Sequence, residues 1–283
     1  MKITLLNLFI FVYVISFFEK PLLSKNKNNV DKTPIEIYAE GGIEWNKNKK
    51  VYIAKKNAEA TKGKLKVKAD LLEAYYDESS EKNSDIKTLN ALGNVLINDN
   101  ETIIKGGKKA SYNIRKDHFI VFGKKISLVS QNDSVSSNRK LEFWKSKNIA
   151  IATGEAEAIR DSKYVINADK LVTHLKTLKD GNYEIKKIIA YNKVIIKTNN
   201  EIAYSDKALY NKDSEICKLF GNVKLKKGKS FLTGEYAEMN LINGISKLLP
   251  YPGNKIREQE NRVKALINTD GNEWYSKTFL SYS

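Results

Sequence analysis

Few residues in this chain of 283 have side chains suited to catalysis, and their spacing works against it. His118 and His174 fall in different segments with no carboxylate pattern around either, which fits packing or a solvated position better than acid/base work. Cys217 is the only cysteine, so an intrachain disulfide and a thiolate zinc site are both excluded. It lies on the apolar parity of its segment, where packing is its expected role. The acidic residues Asp70, Asp169, Asp206 and Glu235 recur once per repeated unit instead of converging on one place, as a structural repeat requires. No catalytic residue, metal or cofactor is expected. The chemistry that remains is binding. Lys and Arg number 49 against 33 Asp and Glu, a net charge of +16 that points to a nucleic acid, a membrane surface or a phosphorylated glycolipid, or to nothing more than biased codon usage. The tyrosines share parity with apolar neighbours and do not interleave with the basic residues, which argues against nucleic acid.

These residues are carried by a repeat. Its clearest copy is Ile202 to Leu225, where Ile202, Tyr204, Ala208 and Tyr210 share one parity and Ser205, Lys207 and Asn211 the other. That is the period of a half-buried strand. Asn211 to Ser214 supplies a turn, and Cys217, Leu219, Val223 and Leu225 alternate with lysines on the way back, completing a hairpin. The second half recurs as Leu92-Gly93-Asn94-Val95, Phe122-Gly123-Lys124, Thr153-Gly154-Glu155-Ala156 and Phe220-Gly221-Asn222-Val223. Ala190 to Val194 is a copy without the glycine. A repeat of hairpins favours one elongated body with a continuous core.

Along the chain, Ile3 to Phe18 is a nearly unbroken apolar run of secretory length, so residues 1–24 read as a signal peptide, with an uncleaved anchor as the alternative. Residues 25–33 form a polar lead-in. Pro34 to Glu40 reads as an edge strand with Ile35 and Ile37 on one face. In Leu65 to Ala69 every lysine points one way and every apolar residue the other. Tyr75 to Lys87 reads as a solvated loop, and Lys105 to Lys108, Ser130 to Asp133, Arg160 to Ser162 and Lys179 to Asn182 as turns. Helix is expected to be scarce. Regular alternation over residues 34–249 gives way in residues 250–283 to one last strand, Arg262 to Ile267, and a frayed basic tail.

The segments Pro34-Ile-Glu-Ile-Tyr-Ala-Glu40, Leu65-Lys-Val-Lys-Ala-Asp70, Leu219-Phe-Gly-Asn-Val-Lys-Leu225 and Asn261-Arg-Val-Lys-Ala-Leu-Ile267 resemble the LptA/OstA-type family of periplasmic lipopolysaccharide transport proteins. The likeness is strongest over residues 34–74 and 205–267, and the middle looks like extra copies of the same hairpin. The resemblance implies an all-β, elongated, V-shaped antiparallel β-jelly roll in the periplasm. It also implies that lipid A acyl chains of lipopolysaccharide lie between its sheets, that copies associate head to tail, and that LptC-type and LptD-type proteins are its partners. Within those stretches, parity nominates Ile35, Ile37, Ile53, Leu65, Val67 and Val223 as groove residues, and Ile37 and Val263 as end-to-end docking positions. Each groove residue would equally face inward in an ordinary β-sandwich. The competing readings are a membrane-anchored, LptC-like component of the same pathway and an unrelated β-solenoid surface binder.

Overall fold

The fold is that of a computed structural model, described for residues 33–80, 83–100, 102–252 and 263–268. The chain divides after Lys32, and all described residues lie in the second unit. The leader, the lead-in up to Lys32 and the tail beyond residue 268 fall outside the described residues.

Alternation persists through almost every described segment, and the result is a single antiparallel ladder. Its strands are β1 (Glu36–Tyr38), β2 (Ile43–Asn46), β3 (Val51–Lys62), β4 (Leu65–Ser80), β5 (Asn83–Asp99), β6 (Thr102–Asn113), β7 (His118–Ser130), β8 (Asp133–Ser137) and β9 (Lys140–Trp144). They continue as β10 (Ile149–Arg160), β11 (Tyr164–Thr177), β12 (Tyr183–Lys197), β13 (Ile202–Asn211), β14 (Ile216–Lys227), β15 (Ser230–Asn240), β16 (Ile245–Leu249) and β17 (Lys264–Leu266). A 3-10 turn at Lys145–Lys147 is the only helical element among the described residues. Each long strand pairs with its neighbours in sequence, so the chain is a meander.

Every long strand bends at its middle, which gives the repeat its glycine. The ladder shifts register at the same place in successive strands, for instance between Lys55 and Ala58, Thr153 and Ala156, and Phe220 and Val223. These bulges form one line of corners across the sheet and divide it into two arms. The first arm holds β2 and β9, and the second holds β1 and β8. At the corner of β5, Gly93 has φ +73° and an added Cβ would lie 2.1 Å from the Asp70 carboxylate. Asn94 then donates to that carboxylate at 3.0 Å, and the same arrangement joins Asn222 to Asp206 at 2.8 Å. Asp70 and Asp206 therefore staple corners. Where the glycine is missing, Asn192 and Lys193 take positive φ instead, and Lys56 and Asn57 form a further corner that the glycine marker does not reveal.

Three short pairs stand in for single bent strands. β1 and β2 join through the Gly41-Gly42 corner, β8 and β9 through Asn138 and Arg139, and both β16 and β17 pair with β15. β17 lies within the last strand expected at Arg262 to Ile267 and pairs with the second-arm half of β15. Two expectations are corrected. Tyr75 to Lys87 is no loop, because β4 runs to Ser80 and β5 begins at Asn83. Lys105 to Lys108 is no turn but the corner of β6, where Gly106 has φ +84°. In both cases turn-forming residues sit inside a ladder long enough to override them.

Inward side chains grow with distance from the corner. Beside it stand pairs such as Ala58 with Ala69 and Ala156 with Ala168. Toward the rim of the first arm stand Tyr112, Phe119 and Phe143, with Tyr112 and Phe119 stacked at 4.0 Å. Two arms that diverge from a crease leave a wedge of space, and side-chain volume follows the wedge. The fold is all-β and antiparallel, folded on itself as the jelly-roll expectation requires.

Candidate functional site

Each arm carries an unbroken apolar row on its inner face. In the first arm, residues paired strand to strand run Ala54, Leu72, Ala91, Ala110, Val121, Leu141, Ala152, Leu171, Ala190, Ala208, Leu219, Ala237 and Leu248. In the second, they run Ile37, Ala60, Val67, Ile97, Ile104, Leu128, Val135, Ala158, Ile166, Ile196, Ala203, Leu225, Leu232 and Ala265. No polar side chain interrupts either one. Parity places them: one residue out of phase would turn each row to solvent.

Of the nominated groove residues, Val67 lies in the second-arm row, Leu65 one position nearer the rim and Val223 one position nearer the corner, all three buried. Ile35 and Ile37 are half-buried and pack on this core at its N-terminal edge. Ile53 is placed differently. It pairs with Glu44 and Glu73 on the outer face of the first arm, so it does not share a face with the others. The inward residues of β3 are Ala54, Ala58 and Ala60, one parity on both sides of the bulge at Lys56 and Asn57, and Ile53 lies off it. Of the docking candidates, Ile37 lies within β1 and Val263, 38% exposed, directly precedes β17.

The rows are closed over by a polar seam where the free margins of the two arms meet. From the second arm, Asp99 accepts Lys145 at 2.9 Å, and Asn100 donates to the Gly181 carbonyl at 3.3 Å. Ser130 and Asp133 accept the backbone N–H groups of Tyr183 and Ile185 at 3.2 and 3.0 Å. The Arg160 guanidinium reaches the Tyr210 hydroxyl and, at 3.3 Å, the Glu215 carboxylate. Farther on, Tyr164 donates to the Leu241 carbonyl at 2.9 Å and Ser246 to Glu201 at 2.5 Å. Asp99, Ser130, Asp133 and Arg160 are all buried. Burial holds the Asp133 carboxyl above the usual carboxylate range, against the pull of the Ile185 N–H and Arg160. Burial likewise raises Tyr183 and Tyr210. A polar cleft of about 150 Å³ opens at the seam beside Ser130, Asp133, Arg160 and Lys212. Next to it, the hollow between Leu128, Val135, Leu175 and Ile185 has no room for a water molecule. The arms thus meet along the seam over packed side chains.

Sequence reading misses the seam, since Asp133 and Arg160 present themselves as turn residues. What makes them a latch is their partners about fifty positions away, and no periodicity encodes that pairing. The two histidines are not drawn together. His118 is buried against Trp144 with ring centroids 3.5 Å apart, and burial lowers its pKa against the opposing pull of Glu142. His174 stands on the outer face. Cys217 is fully buried, which pushes its thiol up to about 12. Among the described residues no group of three His, Cys, Asp or Glu is placed to hold a metal ion. Among them also, no helix is long and apolar enough to cross a membrane.

Comparison with known proteins bears on one part of this architecture. Residues 139–244 match the family model described as LptA/(LptD N-terminal domain) LPS transport protein. No curated protein matches the chain. Among solved structures, the chain is similar to LptH, the LptA homologous periplasmic component of the conserved lipopolysaccharide transport device from Pseudomonas aeruginosa. That alignment covers 85% of this chain and 99% of LptH at 11% identity, with a TM-score of 0.23, too loose to carry an argument. From β9 to β15 the chain is therefore similar to the LptA/(LptD N-terminal domain) family of LPS transport proteins.

Proposed function

We propose that this protein is a periplasmic carrier in lipopolysaccharide transport, holding the acyl chains of lipid A against its two apolar rows as part of a bridge between the membranes. The observation that carries the reading is the continuity of those rows. Every strand contributes an apolar residue in register, and the rows run out to the edge strands. There Ile43, paired with Ala54, is 49% exposed, and Ile37 is only half-buried. A sandwich built for stability alone has reason to cap its core; this one leaves it accessible at the N-terminal edge. Acyl chains need a long apolar track, and fatty tails gain about 0.8 kcal/mol per buried CH₂. Because the arms are packed together along the seam, loading proceeds by entry at this edge and local parting of the arms. The unpaired margins of β1 and β17 offer backbone groups for strand addition, by which copies stack head to tail and LptC-type and LptD-type partners dock. A membrane-anchored component of the same pathway is a second reading, favoured by the apolar run Ile3 to Phe18.

The test is a photo-crosslinking residue placed at Ile37, Leu65 or Val67 in cells. Each should capture lipopolysaccharide, whereas the same probe at Lys66, which pairs outward with Glu59 at 2.7 Å, should capture far less. Equal labelling at Lys66 and Leu65 would remove the groove from the reading.

A further inference from the structure

The outer face of the first arm carries an apolar row of its own. Ile151, Val172, Ile189 and Leu209 pair in register across β10 to β13, point away from the core and remain half-exposed. Lysines frame them. Lys170 and Lys207 lie on the corner side, with their ammonium groups 6.0 and 5.6 Å from the Tyr191 ring centroid, and Lys187 lies on the rim side. All three are exposed, and among the described residues none pairs with a carboxylate. The neighbouring acidic groups are already engaged: Asp169 by Lys193, Asp206 by Asn222 and Glu184 by Lys212. On the outer faces of β3 and β4, by contrast, Lys66 and Lys68 are neutralised by Glu59 and Lys55 by Glu44.

We propose that this face, Ile151, Val172, Ile189 and Leu209 within the frame of Lys170, Lys187 and Lys207, docks on an anionic phospholipid surface. The charge pattern selects that occupant. Unpaired ammonium groups on long stems beside a flat apolar row can let the row settle at the acyl boundary while the charges stay with phosphate headgroups. This surface is separate from the inner rows, and the binding requires no lipopolysaccharide.

Cys217 is fully buried, so a thiol placed on the surface can be labelled selectively. An environment-sensitive fluorophore at Val172→Cys in the full chain should shift to the blue with vesicles of phosphatidylcholine and phosphatidylglycerol that lack lipid A. It should shift much less with phosphatidylcholine alone, and a probe at Lys68→Cys on the other arm should stay unchanged. Replacing Lys170, Lys187 and Lys207 by Gln should weaken the response about a hundredfold, roughly fivefold for each lysine. No shift at Val172→Cys, an equal shift at Lys68→Cys, or insensitivity to the lysine replacements would each overturn the proposal. Because the vesicles hold no lipid A, failure here leaves crosslinking at Leu65 untouched, and failure there leaves this result standing.

Discussion

The clasped body and the N-terminal edge use the same inward rows and treat them oppositely. In the body, Leu141, Ala152 and Leu171 are completely buried, and charged side chains lock the rims above them. At the edge, Trp45 and Ile43 occupy the same kind of inward position yet are 53% and 49% exposed. Trp45 is held there by stacking on Tyr52 at 5.6 Å and by donating to the Tyr76 hydroxyl at 2.9 Å. An ordered aromatic cluster left open to solvent contrasts with a core sealed by buried charge. The difference assigns stability to the body and access to the edge.

The contrast breaks most sharply at the seam. Arg160→Ala leaves Glu215 and Asp133 without their buried cation, and should cost about 3–5 kcal/mol by chemical denaturation. Lys68→Ala, which removes half of a partly exposed pair with Glu59, should cost well under about 1 kcal/mol. If the two variants unfold alike, the seam is not what holds the arms.

A smaller effect is expected along the rows. Leu171→Ala in the body should cost about 2–5 kcal/mol through lost burial and a cavity, while Ile43→Ala at the edge should stay within about 0.5 kcal/mol. The edge variant should instead weaken lipopolysaccharide capture at Ile37. Next come the corners. Gly221→Ala forces a side chain to φ +73° and toward Asp206, and should cost about 1–2 kcal/mol.

The smallest expected effect is in pH dependence, where the two regions should have opposite signs. Asp133 has a raised pKa in the folded state, so its contribution favours the fold while it is protonated and is lost as pH rises through that raised value. Glu59, lowered by hydrogen bonds from Lys66 and Lys68, favours the fold above the ordinary carboxylate range and loses that contribution as pH falls through its lowered value. Melting temperatures of Asp133→Asn and Glu59→Gln, followed from neutral to acidic pH against the unchanged protein, should therefore diverge in opposite directions. Parallel curves would show that the two sites are electrostatically alike.

Local chemistry made much of this legible from sequence. Alternation in Leu65 to Ala69 and in Ala208 to Leu225 yields the strands, their inward faces and the meander, because each pairs with a neighbour in sequence. Ile202 and Tyr204, expected on the face of Ala208 and Tyr210, lie instead on the outer face, because the corner between Tyr204 and Lys207 turns Ala203 and Ser205 inward. The glycine marker reports a real requirement at Gly93 and Gly221, though it looks like a property of hairpin returns when it is a property of corners. Ile53 is misassigned for another reason: in the short apolar run Val51 to Ala54 size does not reveal the face, and the small Ala54 is the residue that points inward. The seam is illegible because Arg160 meets Tyr210 and Glu215 only after the sheet has folded over, and nothing near Arg160 in the chain announces them.

The meander also makes the molecule's span adjustable. Adjacent strands lie about 4.8 Å apart, so each added hairpin lengthens both rows by roughly 10 Å. A pair of bent strands can be gained or lost between equivalent corners without disturbing the facing of any residue on either side, because the register is reset at every crease. Reach is then set by copy number of the hairpin and not by redesign of the core. A distance to be bridged can accordingly be met within one chain by more strands, or between chains by more subunits, with the same apolar track in either case.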